Sequence, residues 1–344
     1  MWHSFWRNSQ TSLFSYRLIL LAIVIFSIFI ALRMAQINPA QSQQQSRQIY
    51  VANYSNNSVS VFSNINQIAS TIPVGNGPFG VAINSAGTRV YVTNRDGNNV
   101  SVIDRNTNAV IATIPVGLQP YGVAVTPDGS KAYVANGDDP SVSVINTSSN
   151  SVIATIPISD QPMPIIINSV GTRAYVGGND ITVIDTTTNS VIATIPVGGG
   201  SSDGPDAVGS PNVGLAINQS GTRIYMAKNS FLYIADTATN SLLDTVTVGD
   251  GASAVAVNSD GSRIFVANNI AFTLSIIDAG INRVINTIPI GIHATSLILL
   301  NQSGSRVGIT SFTGNTVWVV DVPTKQIVDI IQVGRNPEIL SVTP

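Results

Sequence analysis

Beyond residue 47 the chain alternates short apolar runs with polar turns, at a spacing no helix uses. GVAIN from Gly80, GVAVT from Gly122, GLAIN from Gly214 and AVAVN from Ala254 are each followed by a turn containing glycine. A second run comes next: YVTN at Tyr91, YVAN at Tyr133, YMAK at Tyr225 and FVAN at Phe265. A third run (VSVID, VSVIN, ITVID, LSIID, VWVVD) and a fourth, VIATIPVG in its most regular form, complete the unit. Each run is rich in Val, Ile, Thr and Tyr and is bounded by Gly, Asn, Asp and Ser, which is the composition of strands and their turns. No stretch sustains a 3.6-residue period, and proline recurs in every early unit, so helices are excluded here. Four such strands make one antiparallel sheet.

The fourth run ends on an Ile-Pro-Val-Gly-like anchor at Gly75, Gly117, Ser159, Gly198, Gly249, Gly291 and Gly334, with spacings of 42, 42, 39, 51, 42 and 43 residues. A four-stranded unit of this length, repeated seven times, predicts an all-β, seven-bladed β-propeller. The turns agree. Asp128-Gly129 and Asp260-Gly261 are hairpin signals for positive φ, and Asn108, Asn150, Asn189, Asn240 and Asn282 stand where a left-handed residue is needed after the third strand. The chain enters the repeat at Tyr50 in a second strand and ends on NPEILSVTP (Asn336 to Pro344), which matches a first strand. The two termini are therefore expected to share one blade and to close the ring without an open edge. Residues 48–344 form one propeller domain on this reading.

These residues carry a resemblance. The YVTN and YVAN runs, the turns Gly87-Thr88-Arg89, Gly171-Thr172-Arg173, Gly221-Thr222-Arg223 and Gly261-Ser262-Arg263, and the VIATIPVG strands are similar to the YVTN family of β-propeller repeats. The resemblance implies an exported or surface-layer protein of archaeal or bacterial type, doing surface binding or structural work. Similar propellers also occur as lactonases, nitrite or nitrous-oxide reductase domains and amine dehydrogenase subunits.

Composition sharpens this picture. Charged residues are 10% of the chain, against roughly 25% in an ordinary soluble protein, as expected if each sheet is covered on both faces by its neighbours. The 16 basic and 18 acidic residues give a formal charge of −2, too neutral for general nucleic-acid binding. Zero cysteines exclude disulfides, zinc–thiolate sites and Fe–S clusters, and two histidines exclude a polyhistidine metal centre. His293 is the only histidine of the propeller, so copper clusters are ruled out there. No nucleophile elbow, P-loop or dinucleotide fingerprint is present, and no cofactor is expected.

Residues 1–47 differ. Leu18 to Leu32 is a fifteen-residue run with Ser27 as its only polar side chain, flanked by Arg7, Arg17 and Arg33. As a hydrophobic helix it rises about 22 Å against a hydrocarbon core of roughly 30 Å, and it has the length of a signal-peptide core. The best small-x-small site, Ala40-Gln41-Ser42, lies well beyond the run. Both an export signal and a membrane anchor through residues 18–32, followed by a Gln-rich linker, stay open. Either places residues 48–344 outside the cytoplasm, secreted or membrane-anchored.

Strand order divides the loops between two faces. First-to-second and third-to-fourth connections lie at the bottom; second-to-third and blade-to-blade connections lie at the top. Because the leader and linker hold four arginines, the propeller carries −6, and the acids gather at the top. At the bottom, cations recur at one repeat position (Arg89, Lys131, Arg173, Arg223, Arg263, Arg306) and aspartates at another (Asp104, Asp185, Asp236, Asp278, Asp321), which predicts a ring of structural ion pairs. The top acids do not keep step with the repeat. They include Asp138 and Asp139, and Asp203 and Asp206 in the irregular segment GGSSDGPDAVGSP at 199–211. One aligned position at the channel mouth runs Phe79, Tyr121, Met163, Val213, Ser253, Ser296 and Glu338, the last being the only glutamate in the chain. Phe79, Tyr121, Met163, Glu338, Asp138, Asp139, Asp203 and Asp206 are thus the expected ligand-binding residues, for a protein or glycan partner on the top face. Asp203 and Asp206 are the metal candidates, with Ca2+ as the ion. The favoured reading is a non-catalytic binding or scaffold propeller. Its rival is a small-molecule hydrolase or lactonase-like enzyme on the acidic top.

Overall fold

In the computed structural model the described residues are 48–64, 67–198 and 213–342. The expected N-terminal helix, Asp203 and Asp206 lie outside them. The described chain folds into seven four-stranded antiparallel sheets. Blade 2 is representative: Pro78–Ile83, Arg89–Asn94, Asn99–Asp104 and Ala109–Pro115 pair in sequence order. Blade 1 takes its first strand, Pro337–Val342, from the C-terminal end and its others, Ile49–Asn53, Ser58–Asn64 and Gln67–Pro73, from the start of the domain. The closing ladder matches Ile49 with Val342, Tyr50 with Ser341 and Val51 with Leu340. Among the described residues the one helical element is a single 3-10 turn, Tyr54–Asn56, and no helix is long and apolar enough to cross a membrane.

Each core cluster straddles two blades. Tyr91, Val100, Val102 and Ile114 of blade 2 pack on Val123, Ala132, Val134 and Ile145 of blade 3, and Ile49, Val51, Phe62 and Leu340 of blade 1 pack on Val317, Val319 and Ile331 of blade 7. Second and third strands are buried almost throughout, as their continuous apolar runs require. The fourth strands are as apolar in sequence but form the outer edge. Ile111, Ile153, Ile192, Leu243, Ile285 and Val328 are each about half exposed. The low charge of this protein therefore has two causes: buried blade faces and an aliphatic outer rim.

The motif asparagine and the anchor glycine explain each other. Asn94, fully buried, donates from Nδ2 to Asn99 Oδ1 at 2.7 Å and to Ser101 Oγ at 2.9 Å. Asn53, Asn136 and Asn268 make the same contacts to the Ser or Thr hydroxyls of their third strands. The anchor glycine lies flat over that amide: a Cβ on Gly75 would stand 2.6 Å from Asn94 Nδ2, and Gly117, Gly249 and Gly334 sit likewise on Asn136, Asn268 and Asn53. YVxN and IPVG are thus two halves of one contact.

The bottom face departs from the expected ring of ion pairs. Among the described residues only Arg263–Asp278 (2.6 Å) and Arg306–Asp321 (4.0 Å) are paired. The other cations reach into the next blade and bond a turn carbonyl: Arg89 to Thr147, Lys131 to Thr186, Arg173 to Thr237 and Arg223 to Ala279. The aspartates turn inward on their own hairpins. Asp104 Oδ1 accepts the Asn106 and Thr107 N–H groups and the Thr107 hydroxyl. The physical reason is that a buried or half-buried carbonyl must be hydrogen-bonded, whereas an exposed carboxylate is already satisfied by its own turn. The left-handed asparagines are where they were expected, with φ between 51° and 53° at Asn108, Asn150, Asn189, Asn240 and Asn282.

Two outcomes follow. Gly75→Ala forces Asn94 off its buried partners and is expected to cost about 1–3 kcal/mol, measured as a lowered urea midpoint for the full-length protein. Asp128 is held down to about 2 by hydrogen bonds from the Thr126 hydroxyl and from Ser130, below its unfolded value of about 3.9. The unfolded chain therefore binds the extra proton first, and the stability this group supplies is complete above pH of about 4 and lost as pH falls toward 2. Melting temperatures from pH 5 to pH 2 should fall less steeply in Asp128→Asn than in the unaltered protein.

Candidate functional site

The innermost strands of the blades converge on a central cavity of about 190 Å3. Its wall includes Phe79, Met163, Val213, Leu215, Ser253 and Thr295, with Ile339 and Leu340 from the closing strand. Backbones approach closely there: a Cβ on Gly80 would collide with the Tyr121 carbonyl, and one on Gly122 would stand 2.6 Å from the Met163 carbonyl. Hydroxyls tie each inner strand to the next. Gly80 N–H donates to Thr93 Oγ1 (2.7 Å), which donates to the Tyr121 carbonyl (2.6 Å), and Thr310 Oγ1 donates to the Glu338 carbonyl at 3.0 Å.

One mouth position is corrected. Ala294 pairs with Ser311 and Ser296 with Thr310, with a register shift between them, so Thr295 holds the place of Phe79 and Ser253. The extra residue of that blade is absorbed further along its strand, before Asn301. Glu338 keeps its aligned place, following Pro337, which pairs with Asn53; it is buried, and Ile339 and Leu340 after it line the cavity. Burial raises the Tyr54 and Tyr121 phenols, and the charge of Glu338 adds to the rise.

A second feature lies on top of blades 1 to 3. Tyr121 packs edge-on against Phe79, centroids 5.1 Å apart at 87°. The Arg95 guanidinium lies over the Tyr121 ring, 4.9 Å from its centroid, and its Nε donates to Gln119 Oε1 at 3.0 Å. Tyr54 donates to both Asp96 carboxylate oxygens at 3.0 and 2.9 Å. Beside this platform a surface hollow is lined by Arg95, Asp96, Asn98, Leu118, Gln119 and Asp138. Burial raises the Tyr121 phenol; Arg95 opposes the rise, and Asp138, Glu338 and Asp96 add to it. Asp138 lines the hollow together with Arg95, which lies over Tyr121. Asp139 is exposed, with its carboxylate against Gly117, and Met163 faces the cavity on the other side of Gly122. Among the described residues no three His, Asp or Glu side chains converge to hold a metal. His293 stands edge-on to Phe272 and contacts Asn269 Oδ1 at 3.1 Å.

Sequence patterns missed a third feature, at the junction of blades 4 and 5. Lys228, at the end of a second strand, is 1% exposed. Its ammonium donates to the Asn179 carbonyl at 3.2 Å and to Asn179 Oδ1 at 3.3 Å. Burial lowers its pKa, against the pull of Asp160 and Asp180. The signal available in the sequence was its position: Lys228 replaces the motif asparagine, and Gly178 does so in blade 4.

No family model and no curated protein matches the sequence. Solved structures do. A functionally unknown protein from Desulfotomaculum acetoxidans DSM 771 is 17% identical, with 87% of this chain and 99% of that one covered and a TM-score of 0.75. Hydrazine synthase of Kuenenia stuttgartiensis is 21% identical, covering 75% of this chain and 87% of that one at a TM-score of 0.64. The β-propeller domain of Cps50 (Swd1) from Myceliophteria thermophila is 11% identical, covering 78% and 89% at a TM-score of 0.65. At these identities the likeness is one of fold, and the chain is a seven-bladed β-propeller.

Proposed function

We propose that residues 48–344 are an extracytoplasmic, non-catalytic binding propeller of the YVTN repeat type, with its working surface on top of blades 1 to 3. The observation that carries this reading is the platform of Arg95, Tyr121 and Phe79 beside the hollow of Asp96, Gln119 and Asp138. It is pre-formed and occurs in one sector of a repeating molecule, whereas the bottom face repeats from blade to blade. Structure demands sameness of repeated units, and a departure from it is free to serve a ligand.

The chemistry suits a glycan. The Asp96 and Asp138 carboxylates of the hollow accept hydrogen bonds from sugar hydroxyls, the Asn98 and Gln119 amides accept and donate them, and Arg95, held over Tyr121, donates. Export is supported by the arginine-flanked apolar run at 18–32, and the YVTN assignment by the YVxN and IPVG halves of the buried contact. The rival reading is a hydrolase, for which Asp96 and Asp138 at the hollow are the available carboxylates.

The test pairs binding with turnover. Full-length protein on a glycan array should show saturable binding that falls about tenfold or more in Tyr121→Ala and in Arg95→Ala, the loss expected for about 1.4 kcal/mol or more of ring and cation–π contact. Hydrolysis of p-nitrophenyl acetate or γ-butyrolactone that drops in Asp96→Asn or Asp138→Asn would overturn the reading in favour of an enzyme.

A further inference from the structure

Blades 4 and 5 break the repeat at one aligned position, and the two breaks fit together. Where blades 1, 2, 3 and 6 place the motif asparagine, blade 4 has Gly178 and blade 5 has Lys228. The glycine admits a carboxylate, since a Cβ on Gly178 would stand 2.6 Å from Asp160 Oδ2. Asp160 in turn accepts Asn179 Nδ2 at 2.9 Å, the Asn179 backbone N–H, and Gln161 N–H at 2.8 Å. Lys228 reaches across the blade junction to the other end of the same amide, at 3.3 Å from Asn179 Oδ1. One carboxamide is therefore gripped between a buried amine and a carboxylate.

As a salt bridge this arrangement is poor. An ammonium has three protons to donate, and Lys228 has two acceptors, both on Asn179, with no carboxylate within 4.0 Å among the described residues. A buried charge so placed is costly. The neutral amine suits the site better, and burial shifts Lys228 in that direction. A neutral amine is also a nucleophile.

We propose that Lys228 and Asn179 join in an intramolecular isopeptide bond that ties blade 5 to blade 4, with Asp160 as the proton relay. The Nζ lone pair adds to Cγ of Asn179. Once bonded to Cγ, Nζ stands beside Nδ2, and the Asp160 carboxylate that already contacts Nδ2 takes one Nζ proton and returns it to Nδ2. The Cγ–Nδ2 bond breaks, ammonia leaves, and a secondary amide between Nζ and Cγ remains. One amine and one carboxamide become one amide and one ammonia, with no oxidant or other co-reactant. Asn179 is exposed on its outer side, so ammonia has a path to solvent, and the product removes the buried charge. Holding the reactants in contact supplies the effective concentration such a step needs.

Peptide mapping of the denatured full-length protein decides the matter. Trypsin should fail to cut after Lys228. The peptide from Ala174 to Arg223 should appear covalently joined to that from Ile224 to Arg263, lighter than their sum by one ammonia. Free Ile224–Lys228 together with an unlinked Ala174–Arg223 peptide, whether Asn179 is intact or deamidated, would overturn the proposal. Lys228→Arg should yield only unlinked peptides, and a linked species persisting in that variant would overturn the assignment to Lys228. In Asp160→Asn the linked fraction should fall, and complete linkage there would remove Asp160 from the relay.

Discussion

A blade of this protein cannot stand alone, because its second and third strands are apolar on both faces and only another blade can cover them. Every interior cluster accordingly contains side chains from two adjacent sheets, and the series is satisfied only when the last blade covers the first. Ring closure is therefore the constraint on which the rest depends. It is met by pairing Pro337–Val342 with Ile49–Asn53, which makes blade 1 a product of both ends of the domain and places Ile49, Val51 and Leu340 against Val317, Val319 and Ile331 of blade 7. Once the ring is closed, the inner strands are forced together at the axis, the glycines at 80 and 122 become necessary, and the top loops of blades 1 to 3 are held in a fixed relation to one another.

Within that frame, repeated positions and unique positions do different work. The motif asparagine under the anchor glycine, the cation that reaches a carbonyl of the next blade, and the aspartate that caps its own hairpin recur around the ring and hold it together. Their energies are individually small and their number is what matters. The Arg95–Tyr121–Phe79 platform and the Lys228–Asn179–Asp160 cluster do not recur. Both are built at the top, where strand ends and blade connections leave room for departures, and both use a residue from one blade to complete a contact begun on its neighbour.

Much of the fold was legible in the sequence because strands, turns and closure each leave a local trace: a four-run unit, left-handed asparagines after the third strand, and a first-strand fragment at the C-terminal end. What was not legible depends on distances that spacing does not encode. Arg89 and Asp104 stand opposite each other in register, yet the guanidinium reaches the Thr147 carbonyl of the next blade instead. The fourth strands look as buried as the third and are not, since apolar composition is silent about which edge of a sheet faces out. Ser296 was placed one residue off because the blade 7 strand carries an extra residue before Asn301. The aligned column Phe79 and Tyr121 was found from sequence, but the partner that makes it a platform, Arg95, sits on a different loop. Nothing in a linear pattern shows that the Lys228 ammonium meets Asn179, 49 residues earlier in the chain.

The closure itself is most directly tested by amide hydrogen exchange on the full-length protein. If the ends of the domain are hydrogen-bonded into one blade, the amides of Ile49–Asn53 will be protected to the same degree as those of Arg89–Asn94, and the bonded amides of Pro337–Val342 to the same degree as those of Pro78–Ile83, the matching strands of the complete blade 2, and both will open only with the whole ring. Exchange of these two segments at the rate of frayed termini, while blade 2 stays protected, would contradict the account.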